Sequence, residues 1–224
     1  MKYAILCMLL ICSITLFAQN NTPVLKTSLD SFSYAMGMSL GNYCNQQGVK
    51  KVNTNVLARG ASDAIATGKT LLTEQQMNQL ISGYIEKSKN EKLGETKLVG
   101  EKFLAANSKK AGIVTLPSGL QYQVIRQGKD TVRPEASDRV KVHYHGTLID
   151  GTVFDSSVER GTPAVFGVTQ VIRGWVEALQ LMTPGAKWRL YIPSGLAYGD
   201  RQSGPKIPGG SALIFDVELL EIVK

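Results

Sequence analysis

Apolar positions in this chain change their period near residue 110: before it they recur every three or four residues, and after it they alternate. Leu29, Phe32, Tyr34, Ala35, Met36, Met38 and Leu40 are spaced for one buried side of a first helix, and Gly48 is placed to end it. Asn53 is placed to cap a second helix, with Val56, Leu57, Ala61, Ala64 and Ile65 inside and Gly68 as the stop. Thr73-Glu-Gln-Gln76 is a capping-box signature for a third. No proline interrupts the chain from Thr73 to Leu116, and Met77, Leu80, Ile81, Tyr84 and Ile85 form a stripe that Leu93, Leu98, Phe103 and Leu104 continue sparsely. A helix over 74–108 would be about 50 Å long. Gly83, Gly94 and Gly100 each cost it about 1 kcal/mol against Ala, so a break near Gly94 is the alternative.

Beyond Ala111 the pattern predicts strands. Leu120, Tyr122, Val124 and Ile125 open one. Val140, Val142 and Tyr144 share a face of the next, with Lys141, His143 and His145 opposite, and Asp150-Gly151 signals a hairpin turn. Ala186, Trp188, Leu190 and Ile192 alternate with Lys187, Arg189 and Tyr191; Leu213, Phe215, Val217 and Leu219 alternate with Ile214, Asp216, Glu218 and Leu220. One short helix, near Arg173 to Leu181, interrupts them. The expectation is an α+β module: an antiparallel sheet of about five strands wrapped on one helix, behind an all-α region. Two short helices and a thin stripe make a poor core on their own. Burial against a second copy would complete it, which predicts a homodimer through residues 28–90; a compact monomeric helical cap is the alternative.

The start of the chain differs from the rest. Lys2 precedes an apolar run from Tyr3 to Phe17, then Ala18 and polar Gln19-Asn20-Asn21-Thr22. This reads as a secretory signal peptide cleaved after Ala18, too short for a membrane span of about 20 residues. Leu16 is large for a cleavage site, and an uncleaved anchor is the alternative. Ile11 before Cys12 is too large for a lipoprotein pattern. Only Cys44 remains after cleavage, so no internal disulfide forms, and it reads as a small buried hydrophobe.

The 224 residues fit one or two domains, and 43% hydrophobic with 19% charged residues is ordinary for a globular protein. The net charge of +7 is spread along the chain, with no basic cluster of the kind nucleic acid requires. His143 and His145 lie two apart on one strand face with no carboxylate or cysteine near in sequence, so they read as solvent-facing rather than as metal ligands. Trp188 reads as ordinary core, and Glu177 and Glu218 as surface charges.

Val140 to Asp155 and Val171-Ile-Arg-Gly-Trp175 place aromatic and aliphatic side chains as a shallow apolar pocket needs them, without a nucleophile, a metal cluster or a phosphate loop. Val142-His-Tyr-His-Gly146, Asp150-Gly-Thr-Val-Phe-Asp-Ser-Ser157, Val171 to Trp175, Ala197-Tyr-Gly199 and Leu213 to Leu220 together resemble the FKBP family of peptidyl-prolyl cis-trans isomerases, in its order and spacing, across residues 115–224. Ser33-Tyr-Ala-Met-Gly37 and Gly60-Ala-Ser-Asp-Ala64 make the helical half similar to that of the macrophage infectivity potentiator branch, in which helices dimerise and a long helix carries each catalytic domain.

Behind the signal peptide over 1–18, the resemblance implies a helical dimerisation domain over 19–72, a long connecting helix over 73–110 and an isomerase domain over 111–224. It implies a pocket floored by Trp175 and walled by Tyr144, Phe154, Phe166, Val171, Ile172, Tyr198 and Phe215, with Ile207 on the loop above. Asp155 would be its buried polar group, paired with Arg160 or with the Tyr144 hydroxyl. The Ile172 backbone N–H and the Tyr198 hydroxyl would donate to peptide carbonyls. Proline-containing unfolded polypeptides are the implied partners, in the periplasm or beside the outer membrane, with no cofactor. Macrolide inhibitor binding is implied too, weakened because Ala164 stands where many members have an aromatic residue. Lys206, Gly209-Gly210 and polar Asp200 to Ser203 also depart from the pattern, which bears on substrate preference. A holdase-type chaperone using the cleft of a helical dimer is the rival function, and a scaffold with a vestigial catalytic fold a third.

Overall fold

The computed structural model describes residues 25–129 and 131–223. The expected signal peptide and its cleavage site lie outside the described residues. The chain forms two compact units, one ending at Asn45 and one running from Gln46 onward.

The first unit is essentially one helix, α1 (Ser28–Gln46). Thr27 and Asp30 cap its start reciprocally: the Asp30 carboxylate accepts the Thr27 N–H at 2.8 Å, and Thr27 Oγ1 accepts the Asp30 N–H at 3.1 Å. No residue of α1 is buried in the single chain. The predicted apolar side is present but uncovered, with Leu29 70% and Phe32 63% exposed. Cys44 is half-buried rather than buried, for the same reason.

The second unit begins with α2 (Thr54–Ser62), whose first turn is capped by Asn53 Oδ1 accepting the Val56 N–H at 3.2 Å. One π-turn, Asp63–Thr67, extends it until Gly68 ends the helix at φ +63°. In α3 (Glu74–Asn107) both hydrogen bonds of the capping box between Thr73 and Gln76 form. This helix runs 34 residues without a break at Gly94. Fully buried Asn107 ends it, donating from Nδ2 to Gln121 Oε1 at 3.0 Å, while Gln121 Nε2 donates to the Leu104 carbonyl at 2.9 Å. No described helix is long and apolar enough to cross a membrane.

Seven strands follow: β1 (Ile113–Thr115), β2 (Gln121–Arg126), β3 (Arg139–Leu148), β4 (Val153–Ser156), β5 (Ala164–Gly167), β6 (Lys187–Ile192) and β7 (Leu213–Val223). Their order is β1-β2-β6-β7-β3-β4, all neighbours antiparallel, with β5 also paired to β3. About five strands were expected; the two additional ones, β1 and β5, are three and four residues long, too short to show a period of two. β4 and β5 succeed one another along one edge of β3, facing His145–Thr147 and Arg139–Val142.

The inner face carries the predicted alternation. Val140, Val142 and Tyr144 of β3, Trp188, Leu190 and Ile192 of β6, and Leu213, Phe215, Val217 and Leu219 of β7 are all buried. Against them lies α4 (Arg173–Leu179), burying Gly174, Trp175, Ala178 and Leu179. Trp188 is core, stacked on Tyr122 with centroids 4.2 Å apart.

The outer face is less open than expected. Tyr191 is buried there because Phe103 of α3 covers it, ring to ring at 6.0 Å. His143 and His145 do not face solvent freely: both are half-buried, their Nδ1 atoms 3.1 Å from Ser157 Oγ and 3.0 Å from Ser156 Oγ. The chain leaving β4 covers them, a contact between segments that sequence spacing does not carry.

Candidate active site

The first turn of α4 hangs from Ile172, whose carbonyl accepts the Trp175 N–H at 2.8 Å, and this turns the indole into the domain. Trp175 is 4% exposed. Three rings stand edge-on to it: Phe215 at 5.2 Å and 83°, Tyr144 at 5.5 Å and 83°, and Phe166 at 6.0 Å and 90°. Phe154 meets Phe215 in the same way, at 5.3 Å and 81°. Edge-to-face pairs place the positive rim of one ring on the negative face of another, so the cluster sets the orientation of each member.

Two features draw the rings together. Gly146, on β3, leaves the space that Phe154 and Phe215 occupy; a Cβ there would lie 2.6 Å from one and 2.8 Å from the other. Ser157 joins the end of β4 to β3: its Oγ accepts the Tyr144 N–H at 2.7 Å, and its N–H donates to the Tyr144 carbonyl at 3.0 Å. Sequence reasoning had assigned neither residue a role. Both stand in the quoted motif blocks, which was the available signal.

At the rim, the Tyr144 hydroxyl donates to Asp155 Oδ2 at 2.5 Å and accepts from Arg160 Nη2 at 2.9 Å. Arg160 Nη1 donates to the other Asp155 oxygen. Asp155 is therefore paired with both of its candidate partners, but it is not buried: 45% of its side chain is exposed. Partial burial pushes the Asp155 carboxyl up, yet the hydrogen bonds from Tyr144 and Arg160 outweigh it and hold it below its ordinary value. Burial, then the carboxylate, raise the Tyr144 hydroxyl. Hydrogen bonds to Tyr144 and Asp155 keep the Arg160 guanidinium charged. The Arg160 guanidinium also lies 5.6 Å from the Tyr144 ring centre.

Val171 and Ile172 pack, half-buried, in the same apolar cluster, and Ile207 is buried in it from the loop before β7. Tyr198, on the start of that loop, is 41% exposed. The structure thus gathers Tyr144, Phe154, Asp155, Arg160, Phe166, Val171, Ile172, Trp175, Ile207 and Phe215, and leaves Tyr198 toward solvent. An apolar floor with a fixed, charge-neutral polar rim can desolvate a guest and orient its carbonyls. Among the described residues, no three histidine, cysteine or carboxylate side chains gather as a metal site would require.

Comparison with known proteins points the same way. Residues 130–220 match the model of the FKBP-type peptidyl-prolyl cis-trans isomerase, and residues 29–124 that of the domain amino terminal to it. The outer membrane protein MIP of Legionella longbeachae is 44% identical over 217 residues, covering 94% of this chain and 92% of the relative. The FKBP-type 22 kDa peptidyl-prolyl cis-trans isomerase of Escherichia coli is 42% identical over 205 residues, covering 90% and 99%. The crystal structure of FkpA from Escherichia coli superposes with a TM-score of 0.68 at 35% identity, covering 89% of this chain and 98% of that one. These likenesses favour the isomerase over the holdase reading. In both its helical and its catalytic half, the chain belongs to the FKBP-type peptidyl-prolyl cis-trans isomerases.

Proposed function

We propose that this isomerase turns X-Pro bonds of exported polypeptides by desolvating and twisting the imide over the Trp175 floor. A planar amide is strongly dipolar through resonance, and its barrier to rotation is about 18–20 kcal/mol. The twisted transition state is less dipolar, so an environment that removes water favours it over the ground state. An acceleration of about 10⁴ requires only about 5.5 kcal/mol of such preference. Phe154, Phe166, Val171, Phe215 and Ile207 supply the apolar walls. Tyr144, Asp155 and Arg160 satisfy one another at the rim and leave the floor dry. The Ile172 N–H and the Tyr198 hydroxyl donate to carbonyls of the bound peptide. The observation that carries this reading is the Trp175 indole, closed by three edge-on rings beside a self-neutralised polar triad.

The uncovered apolar side of α1 supports a homodimer through residues 28–90, because a second copy would bury Leu29, Phe32 and their neighbours. The hydrophobic leader and the name of the Legionella relative support an envelope location, with unfolded proline-containing chains as substrates. Macrolide inhibitors would enter the same pocket, more weakly beside Ala164.

The test is cis-to-trans isomerisation of a short X-Pro peptide by the mature protein and by Phe215→Ala and Asp155→Ala. Acceleration that falls in either variant is expected. A folded parent that leaves the rate unchanged would overturn the assignment.

A further inference from the structure

We propose that the C-terminal part of α3 is a positioning element of the catalytic site, holding the base of the 197–212 loop so that Ile207 sits over the floor and Tyr198 stands at its solvent side. The inference rests on the pocket assignment above and names what fixes one of its walls.

The loop leaves the 3-10 turn Ser194–Leu196 and re-enters the sheet at Leu213. Its two limbs are joined by the Gly210 N–H donating to the Gly199 carbonyl at 2.8 Å, and its tip by the Ser203 N–H donating to the Ile207 carbonyl at 2.9 Å. Lys206 Nζ donates to the Val153 carbonyl at 2.9 Å, next to Phe154. On the other side the loop rests on α3. Lys97 Nζ pairs with Asp200 Oδ1 at 2.6 Å on the first limb. On the second, a Cβ at Gly210 would lie 2.9 Å from both Leu93 Cδ1 and Lys97 Cγ, and a Cβ at Gly100 would lie 3.1 Å from Ala212 Cβ.

Leu93, Lys97 and Gly100 are spaced as successive neighbours on one helix face. That face therefore touches both limbs of the loop at its neck. The glycines let helix and loop approach more closely than a Cβ on either would ordinarily allow, so the position of the helix bears directly on the loop. Buried Asn107 and Phe103, anchored to β2 and β6, keep the helix end in register with the sheet.

Full-length variants test this on a tetrapeptide too short to reach α3. Gly100→Leu wedges the helix from Ala212, and Lys97→Asp and Asp200→Lys break the ion pair singly. The expected result is a five- to tenfold loss of kcat/KM for Gly100→Leu, carried by KM because the loop is a binding wall. Each single charge variant should lose two- to threefold, and the Lys97→Asp/Asp200→Lys exchange should restore it. Cleavage after exposed Arg201 by an arginine-specific protease should rise in the single variants and return in the exchange, a readout independent of catalysis. The parent rate reports on the pocket assignment, and the ratios of variant to parent report on the positioning role. Faster cleavage with kcat/KM within twofold of the parent would overturn the positioning role. So would cleavage unchanged in every variant, or an exchange that recovers neither readout. If Gly100→Leu does not fold, the charge pair alone decides.

Discussion

Gly146 of β3 and Phe215 of β7 are register partners, and the Phe215 ring fills the volume a side chain at 146 would need, with Cε1 2.8 Å from an ideal Cβ. Phe154 closes on the same volume from β4. Gly146→Ala therefore has to push two rings of the cluster outward. Overpacking of this kind costs about 1–3 kcal/mol. The expected outcome is that loss in urea unfolding and at least a tenfold drop in kcat/KM on an X-Pro peptide.

Phe215 joins Trp175 to Phe154, so its removal opens a cavity at the centre of the cluster. Phe215→Ala should lower stability by about 3–5 kcal/mol. Phe154→Leu, at the half-buried edge, should cost less stability while still reducing kcat/KM. Chemical denaturation beside peptide kinetics separates the two effects.

The polar rim predicts a flat pH profile bounded on both sides. Asp155 is depressed below its ordinary 3.8, so its contribution is complete above that value and is lost as pH falls through the lower folded one. Tyr144 is raised above 10.0, so its hydroxyl contributes fully below 10.0 and fails as pH rises through the higher folded value. Stability and kcat/KM should be level between roughly pH 5 and 9. Asp155→Asn should remove the acidic dependence of this rim and Tyr144→Phe the alkaline one, as read in pH-resolved melts.

Arg189 and Asp216 form a two-pronged ion pair across β6 and β7, at 2.6 and 2.7 Å, on the face away from the rings. Hydrogen bonding to Asp216 keeps the guanidinium charged, although 43% of the Arg189 side chain is exposed to screening. Asp216→Asn should therefore cost only about 0.5–1 kcal/mol. Isomerisation should be unchanged, and the cost should shrink in high salt.

The apolar side of α1 predicts the assembly state. Phe32→Asp should convert a dimer into monomers in sedimentation velocity while leaving tetrapeptide turnover within twofold of the parent. A parent that sediments as a monomer at micromolar concentration would count against the dimer.

Where one face is buried and the other more open, as in β3, β7 and the first residues of β6, the sequence alternation follows the strand closely. The caps at Asn53 and Thr73-Gln76 and the stop at Gly68 were equally legible, because each is local chemistry. Contacts between distant segments were not. β1, β4 and β5 are too short to carry a period, and the π-turn after Ser62 has no sequence mark. Gly100 looks like a flaw in a helix until Ala212 is placed against it. Ser156 and Ser157 carry no sign of a role in the sequence until the two histidines are found above them. The rings of the candidate site were nameable through motif blocks, but their edge-on geometry and the three-way union of Tyr144, Asp155 and Arg160 required the fold.

The eleven residues of β7 lie between β6 and β3 and pair with both. Without it the sheet falls into two halves with open edges, β1-β2-β6 on one side and β3 with β4 and β5 on the other. Phe215, central to the pocket, belongs to β7. Sheet and ring cluster therefore close together or not at all, and a lesion anywhere along this strand undoes fold and pocket as one unit.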